Sequence, residues 1–300
     1  MSPEKPVAAA PTLRQRRRAV AVQEILDAAE RHITEHGPAA LSLRAVARDL
    51  GMTVQALYHY FASRDALVTA LITKAYDDLA DAVRSAVDAA ANAPDQPDRP
   101  DSPNSPNSPD SPGRSRLVVA AEGYRRWAVD HPERFQLLYG APLRHYQAPV
   151  DGPTTAALRR MTAVFQREMF DGCTEAQLAA ADARALSPGF RAHLDALPPD
   201  GLGELPPPAA ALILSAWGRM HGMVVLEVFG HTGFLGEHQA ELFRTAMEDM
   251  AEDIRRRIPP PGRRAPRPGT SSRGGASSRG GASSRGGASQ RPGTERGGDA

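Results

Sequence analysis

Residues Leu41–Phe61 read LSLRAVARDLGMTVQALYHYF and contain two short helical patterns in close succession. Ser42 is a suitable N-cap for the first helix, whose apolar stripe ends at Gly51. Thr53 can cap a second helix that starts only a few residues later. The side chains of this second helix include Leu57, Tyr58, Tyr60 and Phe61. Two helices of about two turns each, joined by a tight glycine-containing turn, predict a helix-turn-helix unit.

Longer amphipathic helices flank this unit on both sides. The preceding segment, VQEILDAAERHITEHG, places apolar residues at helical spacing, and Gly37-Pro38 stops the helix. Ser63 can cap a long helix that follows, and its apolar stripe continues to about Ala91. The long helix therefore leaves the helix-turn-helix unit and enters the rest of the protein.

Helical spacing also dominates the remainder of the chain, and no segment alternates apolar and polar residues over more than a few positions. Thr174 and Gln177 are placed as a capping box. The further predicted helices are 116–129, 132–139, 154–170, 175–186, 209–229 and 237–258. The predicted fold is all-α, with an N-terminal helix-turn-helix domain, a larger helical domain, and a disordered linker and tail.

Three stretches are too rich in Pro, Gly, Ser or like charge to form a packed core. Residues 1–18 form a predicted disordered basic arm. Residues from about 92 to 116 repeat Ser-Pro and predict an extended linker, because Pro cannot donate backbone hydrogen bonds. Residues 259–300 contain SSRGGA three times and predict a disordered Arg-Gly-rich tail.

The charge is segregated along the chain. Residues 1–70 contain nine Lys/Arg against seven Asp/Glu, residues 71–258 contain 19 against 26, and residues 259–300 contain eight against two. The two ends are therefore positive and the middle is acidic. This asymmetry indicates that a polyanion, most simply nucleic acid, is contacted at the ends.

Several other classes of protein are disfavoured. The single Cys173 excludes an intramolecular disulfide and a Cys-based metal cage. The apolar stretch 209–230 is interrupted by Arg219, His221 and Glu227, which argues against a membrane span. The chain shows no signal-peptide pattern, no catalytic motif and no convincing metal-ligand spacing. We expect a cytoplasmic protein that has no metal or cofactor and is not an enzyme.

The stretch LSLRAVARDLGMTVQALYHYFASRDAL resembles the TetR family of bacterial regulators, and the likeness covers about residues 19–79. HPERFQLLYGAP and AWGRMHGMVVLEVFG resemble a TetR subgroup with a Trp/His/Gly-containing C-terminal domain. The resemblance implies a DNA-binding domain over 19–79 and a ligand-binding, dimerising domain over 80–258. It also implies a homodimer with one recognition helix per half-site, which leaves double-stranded operator DNA when a small molecule binds.

On this basis the helix after Thr53 lies in the major groove and reads bases. The residues expected to contact DNA are Arg16, Arg17, Ser42, Arg44, Thr53, Val54, Gln55, Tyr58, His59, Tyr60 and Arg64. Gln55 can pair bidentately with adenine, whereas the arm Arg14–Arg18 and Arg64 contact phosphates. Other interpretations stay open: Ser42 and Thr53 as caps alone, Arg44 as a solvated charge, and Tyr60 as a packing residue.

In the larger domain, aromatic and methionine side chains at helical spacings indicate an adaptable apolar pocket. The candidate pocket residues are Tyr124, Trp127, Phe135, Tyr139, Met161, Phe165, Met169, Trp217, Met220 and His221. Each of them singly is better explained as a core residue, and only the set as a whole indicates a pocket. We expect an apolar or aromatic ligand that displaces the long helix and changes the spacing of the recognition helices.

The last two predicted helices also carry apolar stripes, which a twofold pairing would bury as a four-helix bundle. Part of each stripe must also pack within the subunit. The two stripes are Leu212, Ile213, Ala216, Met220 and Val224 on the first helix, and Leu242, Phe243, Ala246, Met250 and Ile254 on the second.

Two other functions compete with a ligand-responsive repressor. The Arg-Gly tail is typical of segments that bind RNA through charge and stacking, although a flexible solubilising extension has the same composition. An enzyme is the third possibility. A cluster of catalytic residues in the C-terminal cavity would favour it, and an apolar cavity would oppose it.

Overall fold

The computed structural model describes residues 12–92, 115–141, 143, 146–184, 186–198 and 201–260. None of these residues lies in a β-strand, and the predicted all-α fold is confirmed. The α-helices are α1 (Leu13–His36), α2 (Leu43–Asp49), α3 (Val54–Tyr58), α4 (Arg64–Ala91), α5 (Arg116–Asp130), α6 (Pro132–Tyr139), α7 (Pro153–Phe170), α8 (Glu175–Ala179), α9 (Pro188–Asp195), α10 (Pro207–Val228) and α11 (Gln239–Arg257). Short 3-10 helices occupy Pro38–Ala40, Gly201–Glu204 and Gly233–His238.

The starts of α2, α3 and α4 follow from the caps expected from the sequence. The side chains of Ser42, Thr53 and Ser63 accept backbone hydrogen bonds at the starts of α2, α3 and α4. Gly37 and Gly51 adopt positive φ angles of 78° and 64°, which suit glycine after a helix. Caps and glycines thus place α2 and α3 in a helix-turn-helix arrangement.

An N-terminal core holds α1, α2, α3 and the first part of α4 together. Ile25, Val46, Leu57 and Leu67 are buried in it. Leu137 of α6, from the larger domain, is buried in the same core. The N-terminal unit is therefore packed directly against α6 as well as continued by α4.

A second core lies among α4, α5, α6, α7, α10 and α11. Its largest fully buried side chains include Tyr124, Phe135, Met161 and Met247. The second half of α4 contributes Ala75 to Val87 to this core, while its first half belongs to the N-terminal core. A single 28-residue helix therefore joins both cores, as the long apolar stripe predicted.

Two predicted boundaries are wrong. Residues 13–18 of the expected disordered arm belong to α1, because Thr12 and Gln15 form a capping box that starts the helix early. The helix predicted over 175–186 ends at Ala179, and the chain turns where Arg184 adopts a φ of 54°. The predictions for residues 1–11, 93–114 and 261–300 lie outside the described residues.

The helix α9 was not predicted at all. Ser187 accepts a backbone hydrogen bond from Phe190, and Pro188 occupies the first helical position. Both are ordinary start signals for a helix. They were overlooked because the proline-rich surroundings favoured a loop.

One described helix, α10, is long and apolar enough by length and composition to cross a membrane. It supplies Ala216 and Met220 to the second core, and Ala209 and Leu212 to a smaller third cluster that also contains Phe170 of α7. A core helix passes the same test of length and composition, and the interrupting polar residues noted in the sequence remain within α10.

Candidate functional site

The outer side of α3 presents three residues that were expected to contact bases. Gln55, Tyr58 and His59 are exposed. On the inner side, Leu57 is fully buried and Phe61 is buried beside it, as predicted. The structure therefore holds a short helix by one apolar side and leaves its polar side facing solvent.

Val54 and Tyr60 lie at the edges of this surface. Both are half-buried and pack against the N-terminal core. The guanidinium of Arg18 lies 5.3 Å from the centroid of the Tyr60 ring, and its Nη1 donates to the His59 carbonyl at 3.1 Å. The packing interpretation is therefore favoured for Tyr60, and Arg18 links α1 to the end of α3.

Further arginines are exposed on α1 and on α2, the helix that packs against α3. Arg16 and Arg17 are exposed on the first turns of α1, and Arg44 is exposed on α2. Sequence reasoning missed Arg48, which lies one turn after Arg44 and is also exposed. The i, i+4 spacing of two arginines was the signal that could have revealed it.

The remaining predicted contacts have internal partners. The hydroxyls of Ser42 and Thr53 accept hydrogen bonds from Ala45 and Ala56 at 3.2 and 3.1 Å. Arg64 Nε donates to the Leu41 carbonyl at 3.0 Å. Ser42 and Thr53 therefore act as N-caps, and accepting these bonds leaves their hydroxyl protons as donors.

A cavity of about 260 Å³ lies in the larger domain. Six predicted pocket residues line it: Tyr139, Met161, Phe165, Met169, Trp217 and Met220. Lining residues that sequence reasoning missed include Tyr76, Leu117, Ile213 and Met250. An apolar stripe shows that a residue is buried but not whether it meets another side chain or an empty space, so these residues had no distinguishing signal.

The predicted lining set is corrected at four positions. Tyr124, Trp127, Phe135 and His221 are not lining residues of this cavity. The first three are buried within the second core, where other side chains enclose them. His221 lies behind the cavity wall, with its ring stacked on Trp217 at 4.9 Å.

His221 and Tyr124 form a polar contact inside this aromatic cluster. Their Nδ1 and hydroxyl oxygen are 2.8 Å apart. Burial lowers the pKa of His221, which favours the neutral ring. Burial also raises the pKa of Tyr124, so its hydroxyl keeps a proton that it can donate to Nδ1. The pair is therefore an internally satisfied structural contact.

Four charged side chains form a domain-bridging ion cluster: Glu30, Lys74, Asp78 and Arg134. Lys74 Nζ lies 2.8 Å from Glu30 Oε1 and 3.3 Å from Asp78 Oδ2. Arg134 Nη2 lies 3.0 Å from Glu30 Oε2, and its Nη1 lies 3.2 Å from Asp78 Oδ2. Burial alone lowers the pKa of Lys74, but Glu30 and Asp78 raise it overall. The cluster joins α1, α4 and α6.

The predicted dimerisation stripes are mostly internal. On α10, the whole stripe from Leu212 to Val224 is buried within the subunit, and on α11 only Leu242 and Ala246 keep exposed surface. The helical spacing of apolar residues cannot distinguish an internal partner from a second copy. The sequence therefore could not show how much of each stripe packs within the subunit.

A different side of α10 is open to a partner. This α10 outer face consists of Leu214, Gly218, Gly222, Leu226 and Phe229. Its three large apolar residues are exposed. A Cβ built at Gly218 or Gly222 meets no atom within 4 Å. Glycine between exposed apolar residues allows the backbone of another helix to approach closely.

Two family models match the chain. Residues 25–71 match the model described as bacterial regulatory proteins, tetR family, and residues 117–250 match the model described as Tetracyclin repressor-like, C-terminal domain. The first match covers the helix-turn-helix unit, and the second covers most of the larger domain.

Curated relatives are similar over about half of the chain. The HTH-type transcriptional regulators Rv1816 of Mycobacterium tuberculosis and Mb1846 of Mycobacterium bovis are each 38% identical over 143 residues. These residues are 47% of this chain and 53% of either relative. The chain thus spans about half the length of the curated relatives it matches.

Solved structures extend the similarity over most of the chain. The "putative regulatory protein SCO4313" is 32% identical with a TM-score of 0.59, and the match covers 80% of this chain and 98% of that one. A protein with unknown function from Rhodococcus sp. RHA1 is 22% identical with a TM-score of 0.50, over 77% and 93% of the two chains. The second match supports the fold alone.

Proposed function

Because this chain belongs to the TetR family of bacterial regulatory proteins, we propose that it is a sequence-specific DNA-binding transcriptional repressor released from its operator by a small molecule. The observation that carries this proposal is the outer side of α3. Gln55, Tyr58 and His59 face solvent there, on a helix anchored by Leu57, and further arginines are exposed on α1 and α2. An electrophoretic mobility-shift assay on DNA selected by the purified protein tests specific DNA binding. The same assay with candidate ligands tests release from the operator.

If α3 reads the bases, two alanine variants should lose different parts of DNA binding: one the sequence preference, the other the affinity for DNA of any sequence. Gln55→Ala should cost about 1–3 kcal/mol on the operator and relax the preference at one base pair per half-site. Arg17→Ala should weaken binding to all sequences alike and reduce the salt slope by about one unit, because Arg17 contacts phosphate. Fluorescence anisotropy on operator and random DNA over a salt series measures both. Equal losses of Gln55→Ala on the two DNAs would contradict the assigned orientation of α3.

The cavity favours a neutral ligand of apolar or aromatic character. None of the described residues that line it is charged. Burying an unpaired charge in such surroundings has a high desolvation cost, so binding of an ionised compound is unfavourable even if its shape fits. The same apolar lining opposes an acid–base enzyme, which needs titratable groups at the reacting atoms.

Ligand binding can change the affinity for DNA only if it favours one arrangement of the two domains over the other. Two elements reach from the cavity to the N-terminal core. Helix α4 carries Tyr76 in the cavity wall and Leu67 in the N-terminal core. Helix α6 carries Tyr139 in the wall and Leu137 in the same core. We propose that both helices transmit the change, with the domain-bridging ion cluster holding α6 to α1.

This route predicts a specific loss in Glu30→Gln. Removing the carboxylate that Lys74 and Arg134 share should leave the α3 surface intact but decouple α6 from α1. The effect of ligand on operator affinity, expected at about 1–3 kcal/mol in the native protein, should therefore shrink. The coupling free energy is obtained from the operator affinities measured with and without ligand. Asp77→Asn is the matched control, since it removes an exposed α4–α7 ion pair with Arg160. Undiminished coupling in Glu30→Gln would refute this route.

The α10 outer face is the proposed homodimer interface, with Leu242 and Ala246 of α11 at its side. A twofold axis would bring two copies of Gly222 together and bury the exposed leucines around them. The acidic residues Asp249 and Glu252 of α11 are exposed and suit pairing with Arg219 of the second copy. The partners of this protein are then operator DNA, a small molecule and a second copy.

The same family membership supports domains over 19–79 and 80–258 and a cytoplasmic location, as proposals. The RNA-binding alternative depends on the Arg-Gly tail, of which residues 261–300 lie outside the described residues. None of the similar proteins reported above supports it. Deletion of residues 259–300 discriminates, because operator binding should survive it.

A further inference from the structure

Two tyrosines occupy one side of the cavity wall. Tyr76 of α4 and Tyr139 of α6 meet edge to face, with ring centroids 6.0 Å apart. The hydroxyl of Tyr139 is buried and makes no hydrogen bond of good geometry among the residues that the structure describes, although the hydroxyls of Tyr76 and Tyr124 lie close enough to influence its pKa. A buried, unpaired hydroxyl is unfavourable, and such groups in folded proteins call for an explanation.

Tyr124, a third tyrosine of this cluster, has a hydroxyl that is hydrogen-bonded. Tyr124 is bonded to His221 at 2.8 Å and lies away from the cavity. Tyr139 is the one that lines the cavity, with its edge against Tyr76. The unpaired hydroxyl thus belongs to a residue of the cavity wall, but its oxygen is itself buried, so a small shift of the side chain must bring it to a ligand.

The Tyr139 hydroxyl is a permanent donor. Burial raises its pKa well above the ordinary value, and the nearby hydroxyls of Tyr124 and Tyr76 raise it further. Burial likewise raises the pKa of Tyr76. Both side chains therefore stay protonated over the physiological pH range and can donate to a neutral oxygen without any change of charge.

Everything else about the cavity is apolar or nearly so. Leucine, methionine, isoleucine, phenylalanine and tryptophan side chains form most of the wall, with Thr162 as a further hydroxyl. The volume of about 260 Å³ exceeds the roughly 150 Å³ that accommodates benzene in an engineered apolar cavity. A molecule of one ring with a short chain fits this space, with one polar end beside the two tyrosines.

We propose that Tyr139, with Tyr76 beside it, determines ligand specificity by donating a hydrogen bond to the single accepting oxygen of a neutral, otherwise apolar molecule. A ketone or an ester is the chemical class that meets this description. The protein has already removed the Tyr139 hydroxyl from water, so pairing it on binding brings no further dehydration of that group. This inference rests on the proposed ligand-binding function.

The test uses two probes of nearly equal shape that differ in one carbonyl: 1-phenyl-1-butanone and butylbenzene. Isothermal titration calorimetry with the full-length protein gives both dissociation constants. Tyr139→Phe should weaken binding of the ketone by about 2- to 10-fold and leave binding of the hydrocarbon unchanged. Tyr76→Phe should weaken the ketone in the same direction. The variant Tyr139→Phe should fold normally, because it removes a hydroxyl that has no partner.

Thr162→Val is the control, since it removes a different hydroxyl of the cavity wall and should not alter the ratio of the two affinities. If the hydrocarbon binds but Tyr139→Phe affects both probes equally, the hydrogen bond is wrong and the ligand-binding function stands. If neither probe binds the native protein, both this inference and the proposed ligand class are overturned.

Discussion

Gly222→Arg is expected to make the protein monomeric and to weaken binding to a full operator by about 100- to 10,000-fold. Two linked recognition helices engage two half-sites with an effective concentration that neither helix has alone, and separating them loses that gain. Gly222 lies on the α10 outer face, where an added Cβ meets no described atom of its own subunit within 4 Å. Two arginines facing each other across a twofold axis would repel and would hold the helices apart.

Light scattering should report the mass of one chain for Gly222→Arg, while circular dichroism should remain native. An added side chain in the middle of a helix favours helix formation over glycine, so the fold itself should not suffer. Binding to an isolated half-site should match the native protein. Ser85→Arg adds the same charge at an exposed position of α4 and should stay dimeric. A dimeric Gly222→Arg, or a monomer that binds the full operator as tightly as the native protein, would rule out this interface.

The second large effect is expected from Leu57→Ala, which should lower the free energy of unfolding by about 2–5 kcal/mol. Leu57 is fully buried and is the one buried residue of α3. A helix of five residues has no stability of its own, so it exists only through its packing against α2 and the rest of the N-terminal core. Removing the anchor should release Gln55 and Tyr58 from their positions and abolish specific DNA binding.

Denaturant unfolding monitored by circular dichroism measures the stability of Leu57→Ala, and anisotropy measures its operator binding. Leu57→Met keeps the volume of the side chain, should cost less than about 1.5 kcal/mol and should retain most of the binding. A loss of less than about 1 kcal/mol in Leu57→Ala, with specific binding retained, would show that α3 is held by other contacts.

The sequence by itself determined the N-terminal unit. Capping residues, helix-ending glycines and apolar spacing are local signals, and Ser42, Gly51, Thr53 and Leu57 act over only a few residues. The structure accordingly reproduces the helix-turn-helix arrangement and the inward side of α3. The same local signals gave the all-α class and most helix boundaries.

The tertiary structure alone decided which buried side chains border an empty space. Tyr124 and Tyr139 have the same sequence character, yet one is enclosed and bonded to His221 while the other lines the cavity with an unpaired hydroxyl. It also decided that Met220 packs internally while Gly222, two residues later, faces outward. The helical spacing of apolar residues shows that a residue is buried. Which element covers it depends on helices that come together from distant parts of the chain.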